Sequence, residues 1–292
     1  MKILITGATG YVGKQLLKKL LKNDNLGIVA LVRDIKKAKE SLKTSKIQYI
    51  CSKDQQWKNQ VQQFNPEIVI HLAAYLTSND DESSIEKLIN ANITFGSQLL
   101  EALKKCDLKL FVNTGTFAEY DQDYSLSPSY YYAATKTAFR SVLKYYQKLN
   151  SFKILHAIPY TIYGREHEGK KVMDYLFEAQ NKEIKMTLGE QKLDFIHVDD
   201  VIRFYDLVIK HYNEITENEE VMFLGTGNGT TIREVANIIE ELCHRKLHII
   251  WGGLQYRPSD VMYAVAPIEK NHLSFWRANI SLKQGIVKYW EQ

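Results

Sequence analysis

An α/β fold built on a doubly wound parallel sheet is predicted for this 292-residue chain by three observations. Short runs of β-branched and aliphatic residues alternate with segments of helical period through the first half. Those runs are apolar almost without interruption, as strands covered on both faces are. The first of them passes straight into three evenly spaced glycines and a helix, "GATGYVG" from Gly7 to Gly13.

The elements follow in order. "KILIT" (2–6) is a strand, and a helix runs from about Val12 to Lys22. "GIVALV" (27–32) leads into a basic helix, and "IQYI" (47–50) into another. "EIVIHLA" (67–73) precedes one long helix, "SIEKLINANITFGSQLLEALKK" (84–105), and "LKLFVNT" (108–114) precedes a helix from about Tyr131 to Leu149. After "FKILHAIPY" (152–160) the rhythm gives way to polar connections and scattered glycines. "TIREVANIIEEL" (231–242) opens with Thr231 and Glu234 three apart, a capping box. The chain therefore divides into residues 1–160 and a smaller lobe, 161–292, whose segments interleave with the sheet.

Composition narrows the function classes. With 45% hydrophobic and 25% charged residues the chain forms a substantial core rather than a disordered ensemble. A net charge of +4 suits a small anionic ligand, and the one basic run, Arg33 to Lys46, reads as a solvated helix face rather than a nucleic-acid footprint. Cys51, Cys106 and Cys243 lie far apart, with neither metal-ligand nor disulfide spacing. No apolar run reaches the roughly 18 residues of a membrane span and none resembles a leader, so a cytoplasmic protein without bound metal is expected.

The glycines carry the first chemistry. Gly7 permits a tight turn, Gly10 lets a pyrophosphate approach the backbone, and Gly13 lets helix and strand pack closely, the arrangement of a Rossmann-type dinucleotide site. At the tip of the second strand stands Arg33, followed by Asp34, Lys36 and Lys37. An arginine there pairs with a 2′-phosphate, so NADP(H) is favoured over NAD(H); the competing arrangement has Asp34 hold the ribose.

Two Tyr-x-x-x-Lys pairs occur, Tyr49 with Lys53 and Tyr132 with Lys136. The first falls on a strand and the loop after it, where such spacing brings nothing together. The second falls at a helix start, where residues four apart share a face. There the Lys136 ammonium is expected to lower the Tyr132 phenol toward useful proton transfer. Thr114 and Thr116, at the end of the fifth strand, offer hydroxyls at the carboxyl edge of the sheet. "HVDD" (197–200) reads as a strand-to-helix junction with Asp199 as the cap rather than as a metal site, and His167 and Glu168 read as solvated.

With "TGATGYVG", "VIHLAA" (69–74), "NITFGSQLLEA" (92–102), "YAATK", "YTIYG" (160–164), "LDFIHVDDV" (193–201), "FLGTGNGTTIREVA" (223–236) and "YRPSD" (256–260) in this order, the chain resembles an extended short-chain dehydrogenase/reductase of the nucleotide-sugar epimerase and dehydratase group over nearly its whole length. The resemblance implies Tyr132 and Lys136 as the catalytic pair, Thr116 as the catalytic hydroxyl with Thr114 in reserve, and Asn92 as the holder of a proton-relay water. It implies cofactor contacts from Gly7, Thr9, Gly10, Tyr11, Val12 and Gly13, from Arg33, from Leu72, Ala73 and Ala74, and from Pro159 beside Tyr132 and Lys136. Arg257 matches an arginine that binds the nucleotide diphosphate.

Ile158 and Thr161 replace the arginine and asparagine of many members, and Leu193, next to Lys192, replaces another arginine. Thr161 and Lys192 are thus expected to face substrate in a pocket unlike that of a UDP-sugar epimerase. "IIWGGLQYRPSDVMY" (249–263) is similar to reductases of the abequose and paratose synthase group, which make deoxyhexoses for surface polysaccharide. The resemblance thereby implies NADPH-dependent reduction of a 4-keto group on a nucleotide-linked deoxyhexose, by a homodimer joined through helices 84–105 and 131–149. Two alternatives stand beside it: a 4-epimerase retaining tightly bound NAD, and a non-catalytic NADP-binding sensor on the same fold.

Overall fold

The structure is a computed structural model and describes residues 1–79, 81–166, 169–257 and 260–291; His167 and Glu168, and part of the "YRPSD" segment, lie outside the described residues. In chain order the first half comprises β1 (Lys2–Thr6), α1 (Tyr11–Leu20), β2 (Gly27–Val32), α2 (Ile35–Leu42), β3 (Gln48–Cys51), α3 (Trp57–Phe64), β4 (Ile68–His71), α4 (Glu82–Ile89), α5 (Phe95–Leu103), β5 (Leu110–Thr114), α6 (Tyr131–Asn150) and β6 (Lys153–Pro159). The second half adds β7 (Thr161–Tyr163), α7 (Val172–Glu178), β8 (Ile184–Met186), β9 (Lys192–His197), α8 (Val198–Lys210), β10 (Glu219–Leu224), β11 (Gly229–Thr231), α9 (Ile232–Cys243), β12 (Ile249–Trp251), β13 (Tyr263–Ala264) and α10 (Leu282–Glu291).

Seven strands form the main sheet in the order β10-β6-β5-β4-β1-β2-β3, every pair parallel. Chain order reverses between β1 and β4, so a crevice opens there at the carboxyl ends, where open α/β sheets bind ligands. The strands are continuously apolar because successive side chains serve opposite layers. Ile3 and Ile5 pack toward α1 and α8, whereas Leu4 packs with Leu99, Phe139 and Leu143 from α5 and α6. β11, β9 and β13, with β7 on β9, make a second small sheet, and β12 pairs with β8.

Two expectations are corrected. The helix expected over 84–105 is interrupted by a π-turn, Asn90–Thr94, between α4 and α5. The wider turn brings the Asn92 carboxamide against Tyr75 and Thr135, and those bonds repay the interruption. At "HVDD" the cap of α8 is His197 rather than Asp199: His197 Nδ1 accepts from the Asp199 amide at 3.2 Å, while the Asp199 carboxylate pairs with Lys288 at 2.8 Å.

Asp200, the next residue, is buried and fastens the C-terminal segment to α8. Its oxygens accept from the amides of Asn279 and Ile280 at 2.9 and 2.8 Å and from Arg203 at 2.9 Å. Asp200→Ala removes the buried acceptor of two part-buried amides and of Arg203, and urea denaturation is expected to show a loss of about 2 kcal/mol.

Candidate functional site

The glycine turn is built from backbone contacts. The Gly10 amide donates to the Gly7 carbonyl at 3.0 Å, and Gly7 adopts φ +68°. A Cβ on Gly7 would fall 2.6 Å from the Ala73 amide nitrogen, and one on Gly13 would fall 2.3 Å from the Gly7 carbonyl. Gly10, at the N-terminus of α1, is exposed and carries no side-chain cap, so the first amides of the helix face the crevice. Thr9, Tyr11 and Val12 flank it, half-buried, and the Lys171 ammonium lies 4.9 Å from the centroid of the Tyr11 ring.

The opposite wall is the loop after β4. Its Leu72 and Ala73 amides donate to the backbone oxygen and the hydroxyl of Thr6, at 3.3 and 3.1 Å, with Ala74 exposed beyond them. Arg33 is exposed just past β2, whereas the Asp34 side chain is turned back to cap α2, accepting from the Lys37 amide at 3.0 Å. These residues and Pro159, the last of β6, therefore lie along one edge of a parallel sheet.

Helix α6 carries the candidate pair, Tyr132 and Lys136. Tyr130 occupies its N-cap position and stacks on Tyr132 with ring centroids 5.9 Å apart, while Tyr131 is half-buried. Tyr132 is 8% exposed and Lys136, one turn on, 1%. Neither the phenol nor the ammonium forms a hydrogen bond or ion pair with any described residue, although His71, Asn92, Asn113 and His156 are buried in their vicinity. A buried ammonium without a partner is costly and fits a ligand that brings hydroxyls to it, as a nicotinamide ribose does. The unobstructed helix terminus and the close-packed glycine turn fit the pyrophosphate of the same dinucleotide.

The expected lowering of the Tyr132 phenol is not what the structure gives. Burial, then the neighbouring Tyr130 and Glu119, push it up. Burial also pulls Lys136 down to about 8, against the raising influence of Glu119. One cause acts on both groups, because desolvation disfavours phenolate and ammonium alike.

Thr116 follows β5 and opens a short 3₁₀ turn, Phe117–Glu119, in a reciprocal cap. Its amide donates to Glu119 Oε1 at 2.8 Å, and its hydroxyl accepts from the Ala118 amide at 3.4 Å, a long bond. Thr114 has its hydroxyl 2.7 Å from that of Tyr205. Thr116 thus has the freer hydroxyl of the two.

Asn92, the expected holder of a relay water, is buried with its carboxamide bonded on both sides. Its Oδ1 accepts from the Tyr75 amide at 2.8 Å, and its Nδ2 donates to the Tyr75 carbonyl and to Thr135 Oγ1 at 3.1 and 3.0 Å. Thr135 donates in turn to the Tyr132 carbonyl at 2.7 Å, so the carboxamide ties the crevice wall to the first turn of α6.

Among the substrate candidates, exposed Arg257 donates to Ser78 Oγ at 2.8 Å and so reaches from the second half to the loop after β4. Thr161 begins β7 with a buried hydroxyl oxygen unpaired among the described residues. Lys192 is exposed on β9 with its side chain against Gly229. Tyr49, of the other tyrosine–lysine pair, donates from β3 to the Thr44 carbonyl at 3.1 Å.

The sequence reading missed a polar seam behind the pair. Arg140 continues the stripe Tyr132, Lys136 at the same spacing and is buried with Glu119, whose Oε2 lies 2.9 Å from Arg140 Nε. Facing α6, Thr6, His71, Asn113 and His156 stand in register across four adjacent strands. Burial holds both imidazoles neutral, His71 at about 3 and His156 at about 4. The helical stripe was open to inspection in the sequence; the row across the sheet depends on strand register.

The glycine-turn crevice and the buried tyrosine–lysine pair lie at the carboxyl edge of one parallel sheet, the place where an α/β fold binds a dinucleotide. Residues 3–224 match the NAD dependent epimerase/dehydratase family, and the chain belongs to that family, the extended short-chain dehydrogenase/reductases of the sequence reading. It is 28% identical to the CDP-abequose synthase of Salmonella muenchen, over 98% of this chain and 96% of that one. To the CDP-abequose synthase of Yersinia pseudotuberculosis it is 28% identical over 98% of both. In fold it is similar to the UDP-glucuronic acid 4-epimerase of Bacillus cereus, solved with UDP-glucuronic acid and NAD, with a TM-score of 0.84 at 23% identity over 100% of this chain and 98% of that one. The UDP-glucose 4-epimerase of Thermus thermophilus, solved with NAD, superposes with a TM-score of 0.83 at 21% identity, over 100% and 98%. Among the described residues no helix is long and apolar enough to cross a membrane.

Proposed function

We propose that the chain is a reductase of the 4-keto group of a nucleotide-linked deoxyhexose, using NADPH. The observation that carries this reading is the burial of Tyr132 and of Lys136 one turn apart on α6, the ammonium forming no hydrogen bond or ion pair with a described residue. Full-length likeness to two CDP-abequose synthases supports the substrate class. When bound, the reduced nicotinamide supplies a hydride to C4. Tyr132 gives its phenolic proton to the developing alkoxide, Thr116 donates a hydrogen bond to the same oxygen, and Lys136 holds the cofactor ribose and favours negative charge beside it. Asn92 and Thr135 fix the turn that carries Tyr132. A dehydration at the neighbouring carbons requires a further acid and base, and the residues following Thr116 are Phe117 and Ala118, with Glu119 fully buried.

Residues 1–160 hold the cofactor in this reading, and 161–292 supply the lobe over the sugar nucleotide, with Arg257 placed for its diphosphate and Thr161 and Lys192 for the sugar side. The reading extends to a cytoplasmic homodimer through the helices over 84–105 (α4 and α5) and 131–149 (α6), the latter exposing Tyr145 and Leu149. Purified protein is to be mixed with NADPH and candidate 4-keto nucleotide sugars. Stoichiometric oxidation of NADPH is expected; redox-neutral turnover with retained NAD means an epimerase, and the reductase reading is then lost.

Preference for NADPH rests on Arg33, free at the tip of β2, and on the engagement of the Asp34 carboxylate as a helix cap. Arg33→Ala is expected to weaken NADPH binding by about 10-fold or more and leave NADH unaffected, as the loss of one charge-assisted phosphate contact requires. Titration of both cofactors by fluorescence checks this.

A further inference from the structure

Glu119 is a carboxylate with no exposed surface in a protein interior, and it lies behind the residues of the proposed reaction. Its Oε1 accepts the Thr116 amide at 2.8 Å. Its Oε2 accepts from Thr137 at 3.3 Å, and Thr137 follows Lys136 directly on α6. The same Oε2 lies 2.9 Å from Arg140 Nε, yet off the N–H axis: Arg140 Nε and Nη2 are both buried without a hydrogen-bond acceptor among the described residues. The arrangement is an ion pair by charge and distance rather than a bidentate lock. Gly115 makes room for it, since a Cβ there would fall 2.4 Å from Glu119 Oε1.

From this geometry we infer that Glu119 is a positioning residue of the site, one carboxylate that fixes Thr116 and supplies the buried counter-charge that keeps Lys136 an ammonium, with Arg140 as the opposing weight. A hydrophobic side chain at 119 would fill the space at less desolvation cost, and a buried pair is weak evidence of stability. Its placement matters more: Tyr132, Lys136 and Arg140 share one stripe of α6, and Glu119 meets that stripe from the turn after β5. The electrostatic directions agree, with Glu119 raising Lys136 and Arg140 lowering it. The other titratable groups around the pair are Tyr130 and Tyr120, His71 on β4, His156 on β6 and Glu219 on β10. His71 and His156 are held neutral by burial, and Glu219 is engaged by His156 and Lys144, so Glu119 is the carboxylate acting on Lys136.

The inference rests on the proposed function only in taking Tyr132 and Lys136 as the reacting pair. Its test needs neither substrate nor cofactor, so its failure and that of the reductase assay are separate outcomes. The full chain labelled with ε-¹³C lysine is titrated by NMR, the Lys136 resonance being the one lost in Lys136→Met. In the unaltered protein the midpoint is expected at about 8. Glu119→Gln keeps an oxygen for the Thr116 amide and removes the charge, and the midpoint is expected to fall by about one pH unit. Arg140→Gln is expected to raise it by a similar amount, and the double variant to return it near the starting value. A purely structural role moves neither midpoint, or moves both the same way. Where one single variant does not fold, the other is compared with the double variant, in which the same charge step must give the same sign. A folded Glu119→Gln protein whose Lys136 titrates as before overturns the inference.

Discussion

Tyr132→Phe is expected to lower kcat for reduction by about 10²–10⁴-fold, the range a positioned proton donor supplies, and to leave the fold and NADPH affinity intact. The ring keeps its stack on Tyr130, and only the hydroxyl is removed. That hydroxyl makes no hydrogen bond to a described residue, so its loss leaves no stranded partner and costs less than about 1 kcal/mol of stability. In the proposed reaction the phenol starts as an acid. Burial holds it protonated, ready to release a proton only when an alkoxide forms beside it. Steady-state kinetics with a 4-keto nucleotide sugar, alongside cofactor titration and thermal melts, separates these effects. A variant that retains full activity removes Tyr132 from the reaction and returns the chain to the class of cofactor-binding sensors.

How far the molecule was legible beforehand depends on whether the signal was local. The strands announced themselves because both their faces are buried, which makes the run from Ile3 to Ile5 apolar at every position. The glycine turn and the tyrosine–lysine spacing are local too, and each needed only its own strand or helix as context. The π-turn at Asn90–Thr94 was hidden because it shifts the helical period by a single residue, and its compensation comes from Tyr75 and Thr135, both remote in sequence. The cap at "HVDD" was misplaced by two residues because His197 and Asp199 are each able to accept an amide, and only the backbone, extended at His197, decides between them. Likewise His71, Asn113 and His156 are scattered polar residues in three mostly apolar strands, and strand register alone makes them a row. Desolvation was the other omission: charge proximity argued for a lowered phenol, whereas burial controls both Tyr132 and Lys136.

The glycines give the sharpest separation of fold from function. Gly13→Ala is expected to cost about 3 kcal/mol or more, because its methyl would fall 2.3 Å from the Gly7 carbonyl oxygen and 2.7 Å from Ala8 Cα, backbone on both counts. Relief requires α1 to lift from β1, which breaks the contact of Leu16 and Leu17 with the core and displaces the turn at Gly7. Stability and cofactor binding therefore fall together. Gly10→Ala is the contrast. Gly10 has φ −76°, which alanine adopts freely, and its methyl would meet only the Gly7 carbonyl oxygen at 3.3 Å. Stability is expected to change by no more than about 0.5 kcal/mol. The methyl nevertheless projects from an exposed backbone at the helix terminus, the side from which a pyrophosphate approaches, and NADPH affinity is expected to fall by about 10-fold or more. Urea denaturation and cofactor titration on the two variants resolve the roles. If Gly10→Ala binds NADPH as before, the pyrophosphate does not pass over this turn, and the cofactor site is misplaced.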